Sequence, residues 1–276
     1  MLPVRLVRIL AIAVTCVLGL AAVSPAMAKV WPQPAEGDSR SGNPELIFTF
    51  DDGPNTTTTP KILDILKQNK VHAVFFVVGK MVDEPNVTVK RILKRIIAEG
   101  HIIANHTWGH KDLCRKQNEE LAADQIDRGH DSIVRLTGIE PVWFRTPFGA
   151  RCEFLEGLLA ERDLHHFHWD LDPQEWRHGK LDRTTAYLIN SVNNSFGRNV
   201  LLMHDIKQVT VKALPIFFAW LTIENEKRRL LGQKQILIVP APQIAYEQMG
   251  PAFLRWTRET VTRIAATRID LANALP

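Results

Sequence analysis

Apolar positions recur along this chain with two periods. Compact apolar runs such as Leu46-Ile47-Phe48-Thr49-Phe50 and Ala73 to Val78 read as strands. Between them lie stretches with apolar residues three and four apart, the spacing of an amphipathic helix. Pro60 to Asn69 places Ile62, Leu63 and Leu66 on one face, and Thr88 to Glu99 lines up Ile92, Leu93, Ile96 and Ile97. The alternation continues with strands near residues 101–105, 142–145, 164–169, 200–203 and 235–239. The intervening helices fall near 119–136, 154–162, 184–191 and 211–226, and a last helix spans Pro251 to Ala272. Strand and helix in strict succession imply a mostly parallel sheet. With about seven strands the pattern predicts an α/β fold, a distorted, incomplete (β/α) barrel. No G-x-G-x-x-G follows the first strand, which weakens a dinucleotide-binding reading.

The first residues stand outside this rhythm. Arg5 and Arg8, an apolar run from Ile9 to Val23, and Ala26-Met27-Ala28 have the order of a secretory signal peptide spanning 1–28. The apolar run is short for a membrane span, so no stable insertion is expected after cleavage. Residues 29–44, rich in Pro, Gly and Ser, form a linker. The domain occupies 45–240, and 241–276 is a helical extension packed on it, Trp256 included.

The 276 residues carry 45% apolar and 23% charged side chains, enough chain for one sizeable core. The formal charge of +4 falls to +2 once Arg5 and Arg8 are removed, too little to argue for nucleic acid. Three cysteines minus Cys16 leave Cys114 and Cys152. In an exported chain these are either a disulfide or two buried thiols, and spacing does not choose between them.

Functional residues of such folds gather at the carboxyl ends of the strands. The first strand ends in Asp51-Asp52-Gly53-Pro54, and adjacent carboxylates there are costly unless compensated. The third ends in His106-Thr107-Trp108-Gly109-His110, whose histidines four apart meet on one side of a helical turn. Asp52, His106 and His110 together make a donor set with open positions, suited to zinc or a similar divalent ion. Arg145-Thr146-Pro147-Phe148-Gly149, Asp172-Pro173-Gln174-Glu175-Trp176 and Leu202-Met203-His204 fall at or near the ends of the fourth, fifth and sixth strands.

In order, these five clusters resemble the motifs of the polysaccharide deacetylase family (the NodB-homology domain of carbohydrate esterase family 4), over about residues 45–240. The resemblance implies a metal-dependent hydrolase that removes N-acetyl, or O-acetyl, groups from a cell-envelope or extracellular polysaccharide outside the cytoplasm, secreted or periplasmic. Asp51 would be the general base and His204 the general acid. Asp52, His106 and His110 would hold one divalent ion, Zn2+ or another such as Co2+. Arg145 would orient Asp51. Trp176 and Leu202 would line the acetyl pocket, and the backbone N–H near Phe148 would help hold the oxyanion. Two positions depart from the family. Glu175 stands where Asp usually tunes the acid histidine, and Phe148 where Tyr is frequent.

Two rival functions share the fold: a hydrolase of small cyclic amides, and a carbohydrate-binding module without catalysis. Export opposes the first. The presence of Asp51, His204 and a metal set together opposes the second. Of His165, His166 and His168, only His166 and His168 share a strand face. His72, His101, His130 and His178 read as surface or helix-end residues.

Overall fold

The computed structural model describes residues 42–83 and 86–250. The leader, most of the linker and the helix expected from Pro251 lie outside them.

The strands are β1 (Glu45–Asp51), β2 (Val74–Val77), β3 (Ile102–Asn105), β4 (Trp143–Phe144), β5 (His165–His166), β6 (Arg198–His204) and β7 (Leu237–Ile238). All pairings are parallel, in the order β5-β4-β3-β2-β1-β6, with β7 joined to β1. Because β6 takes one edge of β1 along its whole length, β2 and β7 share the other. Beyond β5 the chain reaches round to the free side of β6, where Leu171 pairs with Leu201. Leu171 N–H donates to Val200 O and Leu202 N–H to Leu171 O. Asp170 adds its own N–H to Val200 O and accepts the Val200 N–H at Oδ2, and this short bridge closes the sheet into the distorted, incomplete barrel.

Strand alternation decides what faces where. Phe48 and Phe50 join Phe75, Ile103, Leu201 and Met203 in the layer packed against helices α1 (Thr59–Gln68), α3 (Val87–Ala98) and α8 (Gln208–Leu230). Ile47, Val74, Phe76, Ile102, Ala104, Trp143, Phe167 and Val200 form the inner core. Each fully buried side chain of this size contributes about 1.5–3 kcal/mol. Thr49 and Asp51 alternate in step with Ile47, so they turn inward. The helix α9 (Ala241–Met249) packs Ala241, Ile244 and Ala245 against this inner core, and its Gln248 accepts the Trp143 indole N–H.

The remaining helices are α2 (Gly79–Asp83), α4 (Glu119–Thr137), α5 (Glu153–Ala160), α6 (Glu175–His178) and α7 (Leu181–Asn193). The short helices α2 and α6 were not expected, since one turn is too brief to show a period. His101 is a correction. It is buried, and its ring accepts the Ala73 N–H at Nδ1, 3.0 Å away. Burial, with His72 and Arg95 nearby, pushes its pKa down to about 3. Cys114 and Cys152 form a disulfide across 38 residues, with Cα atoms 5.8 Å apart. Among the described residues no helix is long and apolar enough to cross a membrane.

Candidate active site

Parallel register sets the floor of the site. Asp51 pairs with His204 across β1 and β6 and with Phe76 across β1 and β2, so the strands end at one level. Asp52, the next residue, leaves the strand at φ 77°. Gly53 follows because a Cβ there would fall 2.1 Å from the buried Asp205 carboxylate.

After β3 the chain brings two imidazoles together, with centroids 5.1 Å apart. The helical turn expected from their spacing is not what does this. Thr107 and His110 both take positive φ. The bend is held by Thr107 N–H to Asn105 Oδ1, His110 N–H to Thr107 Oγ1, and Gly109 N–H to Gln125 Oε1 of α4. His106 Nδ1 lies 2.7 Å from Arg145 O and donates to it, which leaves Nε2 with a lone pair.

Asp52 Oδ1 lies 3.0 Å from His110 Nε2 and 3.5 Å from His106 Nε2, yet it is buried and accepts no hydrogen bond. Burial alone would raise the Asp52 pKa, but the two imidazoles hold it well below the usual carboxylate range. An anionic oxygen and two ring nitrogens brought this close can share one cation. Two nitrogens and one carboxylate converging with open positions fit a divalent metal ion.

Asp51 is 3% exposed, and its Oδ1 accepts from Arg145 Nη1 at 2.7 Å. Arg145 is fully buried inside the barrel, a position tolerable only with full pairing. It also donates to Thr49 Oγ1 at 2.8 Å, to Phe167 O and to His168 O, and its guanidinium sits 4.0 Å over the Phe76 ring. Oδ2 of Asp51 is left toward the metal set, 3.7 Å from His106 Nε2.

On the opposite side, Glu175 Oε1 accepts both the backbone N–H of His204 at 2.7 Å and its ring Nδ1 at 3.0 Å. Gln174, at φ 53°, turns the chain so that α6 begins with Glu175 buried and Trp176 half-exposed beside the His204 ring. Burial opposes protonation of His204, but the Glu175 hydrogen bond and charge, with Asp51 and Asp52, outweigh it and raise its pKa. Phe148 stands at φ 62° with its ring against His110, 4.8 Å between centroids. Gly149 N–H and Ala150 N–H close that turn, which leaves the Phe148 N–H outside its ladder.

Asp51, Asp52, His106, His110, Phe148, Trp176, Leu202 and His204 line one cavity of about 180 Å³. Arg145 and Glu175 do not line it and act on Asp51 and His204 from behind. The cavity also includes Thr146, Trp169, Asp172 and Lys207, to which the sequence assigned no role. Thr146 and Asp172 stood inside quoted motifs, and Trp169 at the end of a predicted strand. Lys207 carried no signal. Pockets that enclose a whole small ligand usually measure about 300–1,000 Å³, so this one suits a single group of a larger molecule.

A family model described as polysaccharide deacetylase matches residues 38–161. The chain is 40% identical over 165 residues to a peptidoglycan-N-acetylglucosamine deacetylase of Bacillus cereus, covering 58% of this chain and 56% of that protein. It is 32% identical over 166 residues to a chitooligosaccharide deacetylase of Bradyrhizobium sp. (strain ANU 289), covering 60% of this chain and 72% of that one. Among solved structures, a peptidoglycan N-acetylglucosamine deacetylase in complex with 4-naphthalen-1-yl-N-oxidanyl-benzamide superposes with a TM-score of 0.61 at 33% identity, over 72% of this chain and 87% of that one.

Proposed function

The chain belongs to the polysaccharide deacetylase family, and on that premise we propose that it is a metal-dependent hydrolase removing N-acetyl groups from a cell-envelope or extracellular polysaccharide. The observation that carries this reading is the pairing of Asp51 with His204 in register at the floor of one cavity, beside Asp52, His106 and His110. A proton acceptor and a proton donor flank a cation-binding set, and Trp176 and Leu202 wall a space for a small apolar group.

A divalent ion bound by Asp52, His106 and His110, zinc in our reading, would polarise the acetamido carbonyl and ease deprotonation of water. Arg145 fixes Asp51 by Oδ1, so Oδ2 is the atom that takes the proton of the attacking water. The Phe148 N–H donates to the oxygen that becomes negative in the tetrahedral state. Glu175 holds the His204 ring by Nδ1, so Nε2 delivers a proton to the departing sugar nitrogen. The carbon–nitrogen bond breaks, acetate and a free amine leave, and the proton held on Asp51 returns to solvent as His204 is reprotonated.

The leader pattern of residues 1–28 supports export, with action at the envelope or outside it. The small open cavity opposes hydrolysis of a free cyclic amide, and a binding module needs no acid and base. The test is acetate release from N-acetylglucosamine oligomers and from peptidoglycan. Release that stops with a chelator and returns with Zn2+ is expected. A metal-loaded chain that releases no acetate from any N-acetylated polymer overturns the reading.

A further inference from the structure

A chain of buried side chains leads away from the turn that carries the Phe148 N–H. Thr146 Oγ1 donates to Ala150 O at 2.7 Å, clasping residues 146–150. That uses the only proton of the hydroxyl. His166 Nε2, 2.7 Å from the same oxygen, is therefore the donor to it. The other ring nitrogen, Nδ1, lies 2.8 Å from Glu156 Oε1, with one proton shared between them. Thr146 and His166 are both 0% exposed. Glu156 reaches them from the first turn of α5.

We propose that Glu156, His166 and Thr146 are positioning residues that hold the Phe148 N–H at the oxyanion, an assignment that rests on the deacetylase reading above. Phe148 needs such support because a bulky residue rarely stays at φ 62° unless its surroundings fix it. Packing adds to the clasp from the other side. Gly149, at φ 67°, lies so close under Trp169 that a Cβ would meet the indole at 2.6 Å. The same strand end also sets the metal side, since Arg145 O receives the His106 Nδ1–H. One turn thus orients the His106 ring from residue 145, clasps itself at 146 and carries the oxyanion donor at 148.

Glu156, His166 and His168 also converge closely enough to suggest a second cation, and Glu156 Oε2 and His168 Nε2 are buried without partners. The charge already present argues for a proton instead. Both His166 nitrogens are engaged, and Arg151 Nε lies 3.5 Å from Glu156 Oε1. Burial, then the charges of His166, Arg151 and Arg145, push the His168 pKa down to about 3.

The test compares wild type, Glu156→Gln and Thr146→Val. Glu156 is partly exposed, so Glu156→Gln should fold with an unchanged melting temperature to within a few degrees. Misplacing a catalytic donor costs up to about 100-fold. We expect kcat to fall about 10- to 100-fold in both variants, with KM and bound metal unchanged. The loss should be equal on an amide and on an activated acetyl ester, because both pass through the same oxyanion. Amide exchange at Gly149 and Ala150 should quicken, and Glu156→Asp should recover part of kcat. Unchanged kcat in both variants, a loss confined to KM, or loss of the metal overturns the role while leaving the deacetylase reading intact. A wild-type chain that releases no acetate overturns both.

Discussion

Glu175 Oε1 and His204 Nδ1 lie 3.0 Å apart, and the same carboxylate oxygen accepts the His204 backbone N–H. The extra methylene of Glu, compared with the family's Asp, is absorbed by α6, which sets the carboxylate fully buried behind the ring. Thr210 adds a third, longer contact to that oxygen at 3.3 Å, and Oε2 is left without a partner. The ring is therefore held with its proton on Nδ1 and its other nitrogen toward the cavity.

This pairing has a pH consequence. The His204 pKa is raised above its ordinary value of 6.5, chiefly by Glu175 against the opposing effect of burial. The acid form thus persists to higher pH than in an ordinary histidine, and amide hydrolysis should decline only as pH rises through the raised value. Glu175→Gln removes the charge, so the alkaline limb should move to lower pH and kcat at pH 8 should fall about tenfold or more. The stability contributed by the pair has the same sign: present in full below 6.5, lost as pH climbs through the folded value. A pH–rate profile of Glu175→Gln that overlays wild type would show that this carboxylate does not tune His204.

Metal content follows from the ligand geometry. Purified protein should carry about one divalent ion per chain. His106→Ala and Asp52→Asn should lose most of it, while Asp51→Asn should retain it, because Asp51 is held by Arg145. Elemental analysis of the four proteins decides this, and full occupancy in His106→Ala would remove the assignment.

The disulfide should contribute to stability through the unfolded chain. Closing a loop across 38 residues has an entropic ceiling of about 4 kcal/mol. The double variant Cys114→Ser, Cys152→Ser should lose about 2–4 kcal/mol in urea unfolding. Equal unfolding midpoints in reduced and oxidised wild type would show that the bridge adds nothing.

Much of this architecture was legible because period and position are local properties of the sequence. The first strand could be read from Leu46 to Phe50, and its inward side by counting alternate residues to Asp51. The parallel order followed from alternating strands and helices. What closes the barrel could not be read, because Asp170 and Leu171 meet Val200 and Leu202 mainly through backbone hydrogen bonds, and the one side-chain contact, Val200 N–H to Asp170 Oδ2, joins segments 30 residues apart. Spacing put His106 and His110 together for the wrong reason. The actual bend depends on Asn105 and Gln125, and Gln125 comes from a distant helix. His101 read as surface since a lone polar residue before a strand usually is, and its burial comes from packing against Phe75 and His72. The Thr146–His166–Glu156 chain links three segments, and no local pattern predicts such a contact.

The acid and the base can be separated by changing the leaving group. Asp51 and His204 face each other in register across β1 and β6, and neither belongs to the converging Asp52, His106, His110 set. Asp51→Asn and His204→Ala should therefore keep both the metal and the fold while losing rate. On an N-acetyl substrate the departing amine needs a proton and the water needs a base, so each variant should lose at least about 100-fold in kcat. An acetyl ester with a good leaving group departs without protonation, but its hydrolysis still requires water to lose a proton. On that ester His204→Ala should recover to within about tenfold of wild type, whereas Asp51→Asn should stay about 100-fold slow. The pH profile should divide the same way, with the alkaline limb of amide hydrolysis vanishing in His204→Ala and persisting in Asp51→Asn. If His204→Ala lost as much on the ester as on the amide, the proton from Nε2 would not be going to the leaving group. His204 would then act on the oxyanion or on the shape of the cavity.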